Sequence, residues 1–355
     1  MPDIRVLTTP AEFNHLPDIE IAVWGLPARD VVSGNIVRAI TLNGGVAHGA
    51  YDGDLMIGMS LALPAFRSRK RLLWSHMAGV LPDYQGQGIG FALKQAQREW
   101  ALKHGYDEMR WTFDPLQRGN AHFNLHLLGC YAETYYVDFY GQMEDAINVS
   151  APTDRLEAVW KLKDERVKQL TAGNLPTPFR GNIERVILRN HDSAPELNLD
   201  TTTEQANLFL EIPRRARDLP SAKMIDWRLA LREAMQHAIA QGYRLVDLVE
   251  RDEQVYYRLE RQPGYMLYVL ECSDGSLYTG IALELERRVA QHNAGKGAAY
   301  TRSRRPVRLL AAWSYPSKGA ALKAELALKN QNRGYKLKLL ESDAQWEGGI
   351  RQNAR

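Results

Sequence analysis

The chain has 355 residues, of which 45% are apolar and 25% charged. That length exceeds one ordinary hydrophobic core and leaves room for two or three domains, and the composition excludes a fibrous repeat or extensive disorder. The net charge of +3 conceals a division: from Arg261 onward 16 Lys/Arg face 8 Asp/Glu, a balance of +8, while the preceding residues carry −5. A basic C-terminal segment points to a polyanionic partner.

The first residues, Met1-Pro2-Asp3-Ile4-Arg5, lack the basic start and long apolar run of a secretory signal. The longest nearly apolar stretch, Leu55 to Phe66, is too short and, with Pro64, too broken to span a bilayer. A cytoplasmic protein without a membrane partner is the expectation. Cys130 and Cys272 stand far apart, with neither a CxxC nor a histidine at ligand spacing, so no disulfide framework or zinc site is expected.

In chain order, a strand over 73–81 leads into Gln85-Gly86-Gln87-Gly88-Ile89-Gly90, and a helix with the apolar stripe Ile89, Ala92, Leu93, Ala96, Trp100 and Ala101 follows. It stops at Gly105-Tyr106, before a strand over 108–113. Glycines let a backbone approach a ligand closely, and free amides at a helix start attract phosphate oxygens. On the glycine pattern alone, a plain strand-to-helix turn is the commoner reading. The polar stretch from Asn148 to Arg180, with a charged helix expected around 155–170, reads as a connector. A second block carries the stripe Trp227, Ala230, Leu231, Ala234, Met235, Ala238 and Ile239, stops at Gly242-Tyr243 and enters a strand over 244–249. Both blocks read strand, loop, helix, Gly-Tyr, strand, which suggests two related α/β halves, with two unrelated helix-strand units sharing a common stop as the equal alternative.

Pro263-Gly264 opens the last block. Strands over 266–270 and 277–281 flank the turn Ser273-Asp274-Gly275-Ser276 as a β-hairpin. A helix over 283–293, a basic loop over 296–305, a strand over 307–314 and a helix over 318–329 follow. Cutting a phosphodiester needs an activated water, a cation near the phosphate and a carboxylate that holds a metal. This block offers each. Tyr268 and Tyr278 sit on the two hairpin arms, Arg288 and His292 are four apart on one helix face, and Glu325 falls among Ala321, Leu322 and Leu328. Taken singly, each has a structural reading: strand tyrosines pack, a helical arginine is solvated, and Glu325 pairs with Lys329 at i+4.

The loop Gln85-Gly86-Gln87-Gly88-Ile89-Gly90 resembles motif A of the GNAT acetyltransferases, with Gln85, Gly88 and Gly90 at its three defining places. The run Asn120 to Gly129 looks like the late helix of that family, with Asn120 where an asparagine contacts the pantetheine arm. The resemblance implies an N-acetyltransferase using acetyl-CoA. The amides of Gln85, Gly86, Gln87, Gly88, Ile89 and Gly90 would then grip the pyrophosphate, and a splayed strand near His76 to Val80 would pair with the pantetheine. Where the family often has its acid tyrosine this chain has Leu125, which leaves Tyr131 open as acid and His76 or Glu99 as base. The region to about 260, with Glu211-Ile212-Pro213 and Asp226-Trp227-Arg228, also resembles a bacterial group of two-part GNAT-like proteins. That likeness implies a degenerate second half that shapes the pocket of an unknown amine acceptor.

Met266-Leu267-Tyr268, Tyr278-Thr279-Gly280, Leu285-Glu286-Arg287-Arg288-Val289, His292 and Ala324-Glu325-Leu326 stand in the order that defines the GIY-YIG endonucleases. Asn293 to Ala298 and Tyr300-Thr301-Arg302 look like the small bacterial stand-alone members. The resemblance implies that Tyr278 or Tyr268 helps to deprotonate water, that Arg288 stabilises the pentavalent phosphate, that His292 is the catalytic helix histidine, and that Glu325 holds one Mg²⁺. Lys296, Arg302, Arg304, Arg305 and Arg308 fit phosphate contacts on DNA. The literal Gly-Ile of the first motif is missing, and no late asparagine equivalent is clear.

The expected fold class is α/β (α+β): a GNAT-like mixed sheet with helices, duplicated in degenerate form, plus a small α/β GIY-YIG domain with a three-stranded sheet. The expected domains are 1–147, a connector over 148–182, a second half over 183–260, the nuclease domain over 264–345 and a tail over 346–355. A bifunctional transferase and nuclease is the first reading. The rival is a nucleic-acid-binding protein whose GNAT-like region binds CoA or a metabolite without catalysis, or whose nuclease fold is inert.

Overall fold

The computed structural model describes residues 2–67, 70–141, 152–200, 205–341 and 345–352. The chain divides into two compact units, one of residues 1–204, 208–236 and 245–259, the other of residues 205–207, 237–244 and 260–355. Helix and strand mix in both, as the α/β expectation requires. No helix among the described residues is long and apolar enough to cross a membrane.

The first unit is built on a twelve-stranded sheet. Its strands are β1 (Asp3–Val6), β2 (Val46–Asp52), β3 (Leu55–Arg67), β4 (Lys70–Val80), β5 (Glu108–Phe113), β6 (Tyr131–Tyr136), β7 (Arg155–Lys161), β8 (Val186–His191), β9 (Ala194–Leu197), β10 (Asn207–Ile212), β11 (Tyr243–Arg251) and β12 (Gln254–Arg261). Three helices, α1 (Pro10–Phe13), α2 (Leu16–Trp24) and α3 (Gly34–Leu42), precede β2, and α4 (Ile89–Lys103) links β4 to β5. The apolar stretch from Leu55 is β3, packed by α2 and α3 as well as by α4, which explains why both of its faces are apolar. The strand order is β1-β2-β3-β4-β5-β7-β6-β11-β12-β10-β8-β9. β4 and β5 run parallel and ladder at Leu73↔Met109 and Trp74↔Arg110. Ser75 and Trp111 are the next residues on each, where the ladder ends and the sheet forks.

Between β5 and β6 the chain forms α5 (Arg118–Ala121), which passes directly into a π-helical segment, His122–Leu127. Two further helices, α6 (Glu165–Thr171) and α7 (Ser221–Ala240), complete this part of the chain. The stretch expected as a connector is corrected here. Residues 155–161 form no helix but β7, inserted between β5 and β6. Its buried Glu157 is neutralised by Arg67 at 2.5 Å and Arg110 at 2.6 Å, with Tyr136 Oη donating at 2.8 Å. A charged strand can be central when its neighbours carry the opposite charge. The boundary expected at 147/148 lies outside the described residues.

The helix, Gly-Tyr and strand shared by the two blocks exist, with Gly105 at φ +78° and Gly242 at φ +87°. Their places in the sheet differ, however. β5 lies beside β4, whereas β11 lies against β6, so β11 does not correspond to β5. A repeat appears at another level: β5-β7-β6 and β10-β12-β11 each place their last strand between the first two, and the two sets meet at the antiparallel pair of β6 and β11.

The second unit has the sheet order β14-β13-β15-β16, with β13 (Tyr265–Glu271), β14 (Leu277–Ala282), β15 (Arg308–Tyr315) and β16 (Ile350–Gln352). The three expected strands are present, and the segment read as a tail adds the fourth. Its Trp346 is buried, and the indole donates to the carbonyl of Ala324 at 3.1 Å. The helices are α8 (Leu285–Asn293), α9 (Ala299–Arg302), α10 (Lys318–Lys329) and α11 (Arg333–Glu341). Ser317 caps α10 by accepting from the amide of Ala320. Leu267, Val269, Trp313, Ala321 and Leu328 form the core between the sheet and α10.

Candidate active sites

In the second unit the hairpin register puts Tyr268 opposite Gly280 and Leu270 opposite Tyr278. The rings of Tyr268 and Tyr278 lie 6.3 Å apart, and His292 of α8 approaches both. A Cβ on Gly280 would stand 2.7 Å from the Tyr268 hydroxyl, so glycine here makes room for that hydroxyl rather than for a turn. Tyr268 Oη is 3.0 Å from His292 Nε2 and accepts from Arg288 Nε at 3.4 Å. His292 Nδ1 is 2.6 Å from Thr301 Oγ1 of α9. Thr301 in turn donates to the carbonyl of Ala298 at 3.0 Å. With its one proton committed there, Thr301 accepts from Nδ1–H, which leaves Nε2 to accept from Tyr268.

Burial pulls the His292 pKa down, helped by the Arg288 charge, so the ring is neutral at neutral pH. Burial pushes the Tyr268 hydroxyl up, against the hydrogen bond from Arg288. Tyr268 is fully buried while Tyr278 is half-buried and stacks on Tyr300. Glu325, on α10, also acts on Tyr268 electrostatically. Its carboxylate receives Lys329 at 2.8 Å, the i+4 pairing open to these residue types. The structure thus brings Tyr268, Tyr278, Arg288 and His292 into one cluster, with Glu325 close enough to bias Tyr268.

No group of three or more His, Cys, Asp or Glu suited to a metal occurs among the described residues. One carboxylate is still a fitting donor for Mg²⁺, a hard cation that keeps several waters and commonly takes one or two carboxylates together with substrate phosphate oxygens. Beside this centre, Asn293, Arg302, Ser303, Arg305 and Pro306 line a concavity of about 510 Å³. Asn293 holds that edge by donating to the Val307 carbonyl at 3.1 Å and accepting from its amide at 2.7 Å. Arg304 and Arg308, expected on phosphates, are paired with Asp274 and Glu271.

In the first unit the glycine loop joins β4 to α4. Gly86 and Gly88 have φ of +77° and +80°, and a Cβ on Gly86, Gly88 or Gly90 would meet nothing within 4 Å. The open side faces away from the core, as a ligand-facing loop requires. Gln85 and Gln87 brace the loop through Val80 O at 3.0 Å and Asp83 O at 3.3 Å. The Ile89 side chain is core, packed with Ala50, Ile57 and Leu93, so its backbone amide is the group left for a ligand. Asn120 is exposed and accepts from Asn124 at 3.2 Å. Of the open acid and base candidates, Glu99 is exposed on α4 and His76 lies on β4, where partial desolvation of its ring lowers its pKa. Directly before Asn120, Gln117 and Arg118 join Arg214, Arg215, Arg217 and Asp218 around a cleft of about 370 Å³. Gly280 and Thr301 stand in motifs that the sequence offers but without an individual role, while Lys94 stands in none, and its one local signal is its place in the buried stripe of α4.

Residues 264–338 match the family model of the GIY-YIG catalytic domain, and residues 14–129 match that of the acetyltransferase (GNAT) family. A UPF0213 protein of Cupriavidus pinatubonensis is 56% identical over 79 residues, 22% of this chain and 86% of that protein. One of Lactiplantibacillus plantarum is 52% identical over 80 residues, 22% of this chain and 79% of that protein. Both alignments are short enough to be contained in one domain. The chain belongs to the UPF0213 family through its GIY-YIG domain, which it joins to a GNAT domain. Among solved structures, the ribosomal-protein-S18-alanine N-acetyltransferase of Escherichia coli is 16% identical, with a TM-score of 0.38, covering 46% of this chain and 96% of that one. A Bacillus subtilis acetyltransferase in complex with CoA is 19% identical, with a TM-score of 0.36, covering 45% of this chain and 99% of that one.

Proposed function

We propose that the chain is bifunctional: a Mg²⁺-dependent DNA endonuclease in the second unit and an acyl-CoA-dependent N-acetyltransferase in the first. The observation that carries the nuclease reading is the hydrogen-bonded chain Arg288, Tyr268, His292 and Thr301, which orients Tyr268 and a guanidinium near one carboxylate, with the Tyr278 ring packed against Tyr268 and His292. Because the Tyr268 hydroxyl is buried and committed, Tyr278 is the tyrosine placed to help deprotonate water, and Tyr268 positions Arg288. Arg288 then stabilises the charge on the pentavalent phosphate. Glu325, once free of Lys329, would hold the Mg²⁺, which would supply further charge stabilisation at the phosphate. Arg302 and Arg305 hold the DNA backbone without reading bases.

For the transferase, the support is the open glycine loop at the start of α4 together with the fork between β4 and β5. Catalysis there is chiefly positioning of an amine against a bound thioester. The arginine-rich cleft beside Asn120 suits an amine that also carries a carboxylate or phosphate, and a panel of charged and neutral amines tests this. The pairing of Glu325 with Lys329 favours one rival, a nuclease fold that binds DNA without cutting it.

The deciding experiment is cleavage of linear, nicked and branched DNA with Mg²⁺, using the full chain beside Glu325→Ala and Tyr278→Phe. Cleavage that both variants lose by at least about 100-fold, and that chelation abolishes, supports the nuclease. Binding by all three proteins without cleavage supports the inert fold. Calorimetry with acetyl-CoA tests the first unit, where Gly88→Trp abolishes binding; unchanged affinity removes the loop from the site.

A further inference from the structure

Lys94 lies in the stripe Ile89, Leu93, Lys94, Gln97 and Ala101 that α4 buries. Its Nζ donates to Ser75 Oγ at 2.7 Å, and Ser75 donates to Gln97 Oε1 at 3.1 Å. The same nitrogen stands 3.7 Å from the centroid of the Trp111 ring. The one titratable group coupled to it among the described residues is the Cys130 thiol, which burial keeps protonated and uncharged. A hydroxyl and a ring face are poor replacement for water around an ammonium, and burial pulls the Lys94 pKa down to about 7. Leucine or methionine would fill such a helix position without that penalty. A lysine here therefore calls for a role beyond packing.

Its location supplies one. Ser75 and Trp111 are the first residues past the last laddered pairs of β4 and β5, so Lys94 lies under the fork. Trp111 donates to Asn124 Oδ1 at 3.1 Å, and Asn124 donates to Asn120, where the pantetheine arm is placed under the transferase reading. Leu125, standing where the GNAT family often has its acid tyrosine, is fully buried and has no proton to give. The departing sulfur must still receive one.

We propose that Lys94 is the general acid of the transferase, with its ammonium directed at the sulfur of acyl-CoA bound in the fork. The proposal rests on the transferase reading of the first unit. The amine nitrogen attacks the thioester carbon, and the C–S bond of the tetrahedral adduct breaks with its electron pair on sulfur. Lys94 gives that sulfur a proton, forming the CoA thiol. The attacking nitrogen loses a proton to water, and solvent returns one to Lys94. An acid poised near neutrality suits a leaving thiolate.

The test uses CoA itself and needs no acceptor. Binding of CoA to the wild type and to Lys94→Met is measured by calorimetry, and ionisation of the bound thiol is followed by thiolate absorbance. In the wild type the bound thiol ionises below the ordinary thiol value of about 8.5. In Lys94→Met CoA still binds and that shift is lost. Equal thiol titrations in the two proteins overturn the proposal. If Lys94→Met does not fold, wild-type affinity for CoA is compared with that for desulfo-CoA as pH rises. An advantage of CoA over desulfo-CoA that rises as pH passes through about 7 and falls again above the ordinary thiol value of about 8.5 supports the proposal, and a constant difference overturns it. Failure of the wild type to bind CoA at all removes the transferase reading itself, and with it this one.

Discussion

The Thr301 hydroxyl decides which nitrogen of His292 carries the proton, because its own proton is held by Ala298. Thr301→Val removes the acceptor for Nδ1–H, and DNA cleavage is expected to fall by roughly 100-fold, the low end of what a positioned proton-transfer group contributes. Thr301→Ser restores it, and ¹⁵N spectra of His292 report the tautomer directly. Gly280→Ala would place a Cβ 2.7 Å from the Tyr268 hydroxyl. Displacing that hydroxyl is expected to destabilise the second unit by about 1–3 kcal/mol, measured by denaturant unfolding, and to lower cleavage. At this scale the tyrosines, Arg288, His292 and Glu325 were legible because their order and spacing are local signals. Thr301 and Gly280 were not, since each matters only through an atom that packing brings to it.

The elements show the same division. The helix of Lys318–Lys329 and the hairpin were readable, since helix periodicity and a four-residue turn declare themselves in short windows. β7 was not. Its Arg155, Glu157 and Lys161 look like a solvated face until Arg67, Arg110 and Glu108 arrive from other strands. The link between α7 and the β5 side of the sheet is likewise tertiary: Arg228 donates both of its terminal nitrogens to Asp114, each at 3.0 Å, and the two side chains are only 3% and 7% exposed. Arg228→Met leaves a buried carboxylate without its counter-ion, held among the described residues only by the amide of Leu116, and is expected to cost about 3–5 kcal/mol, read from the denaturant midpoint. A double variant that also makes Asp114→Leu should recover much of that loss.

Across the whole molecule the charge division is the largest electrostatic feature. If the second unit holds DNA through phosphates, affinity falls steeply with salt, and Arg302→Gln with Arg305→Gln reduces the slope of log affinity against log salt by about 1–2. The first unit has its own pH signature. Burial lowers the folded pKa of Lys94 from 10.5 to about 7. Its share of stability is therefore fully present above the unfolded value and is lost as pH falls through about 7. Lys94→Met should thus be more stable than the wild type by several kcal/mol at neutral pH, with the gain fading as pH approaches the unfolded value. Thermal unfolding at a series of pH values checks this; a destabilised Lys94→Met would mark Lys94 as a packing residue.

The sequence by itself determined the two candidate constellations, because a glycine loop before a helix, a hairpin with two tyrosines and an i+4 arginine and histidine are specified by neighbours. It also determined the basic character of the second unit, which follows from residue counts. Only the tertiary structure decided that Lys94 is buried under the fork, that β7 is central, that β11 lies against β6 and that His292 is held in one tautomer. Each of those depends on groups far apart in the chain, whose desolvation and hydrogen bonds exist only once the sheets have assembled.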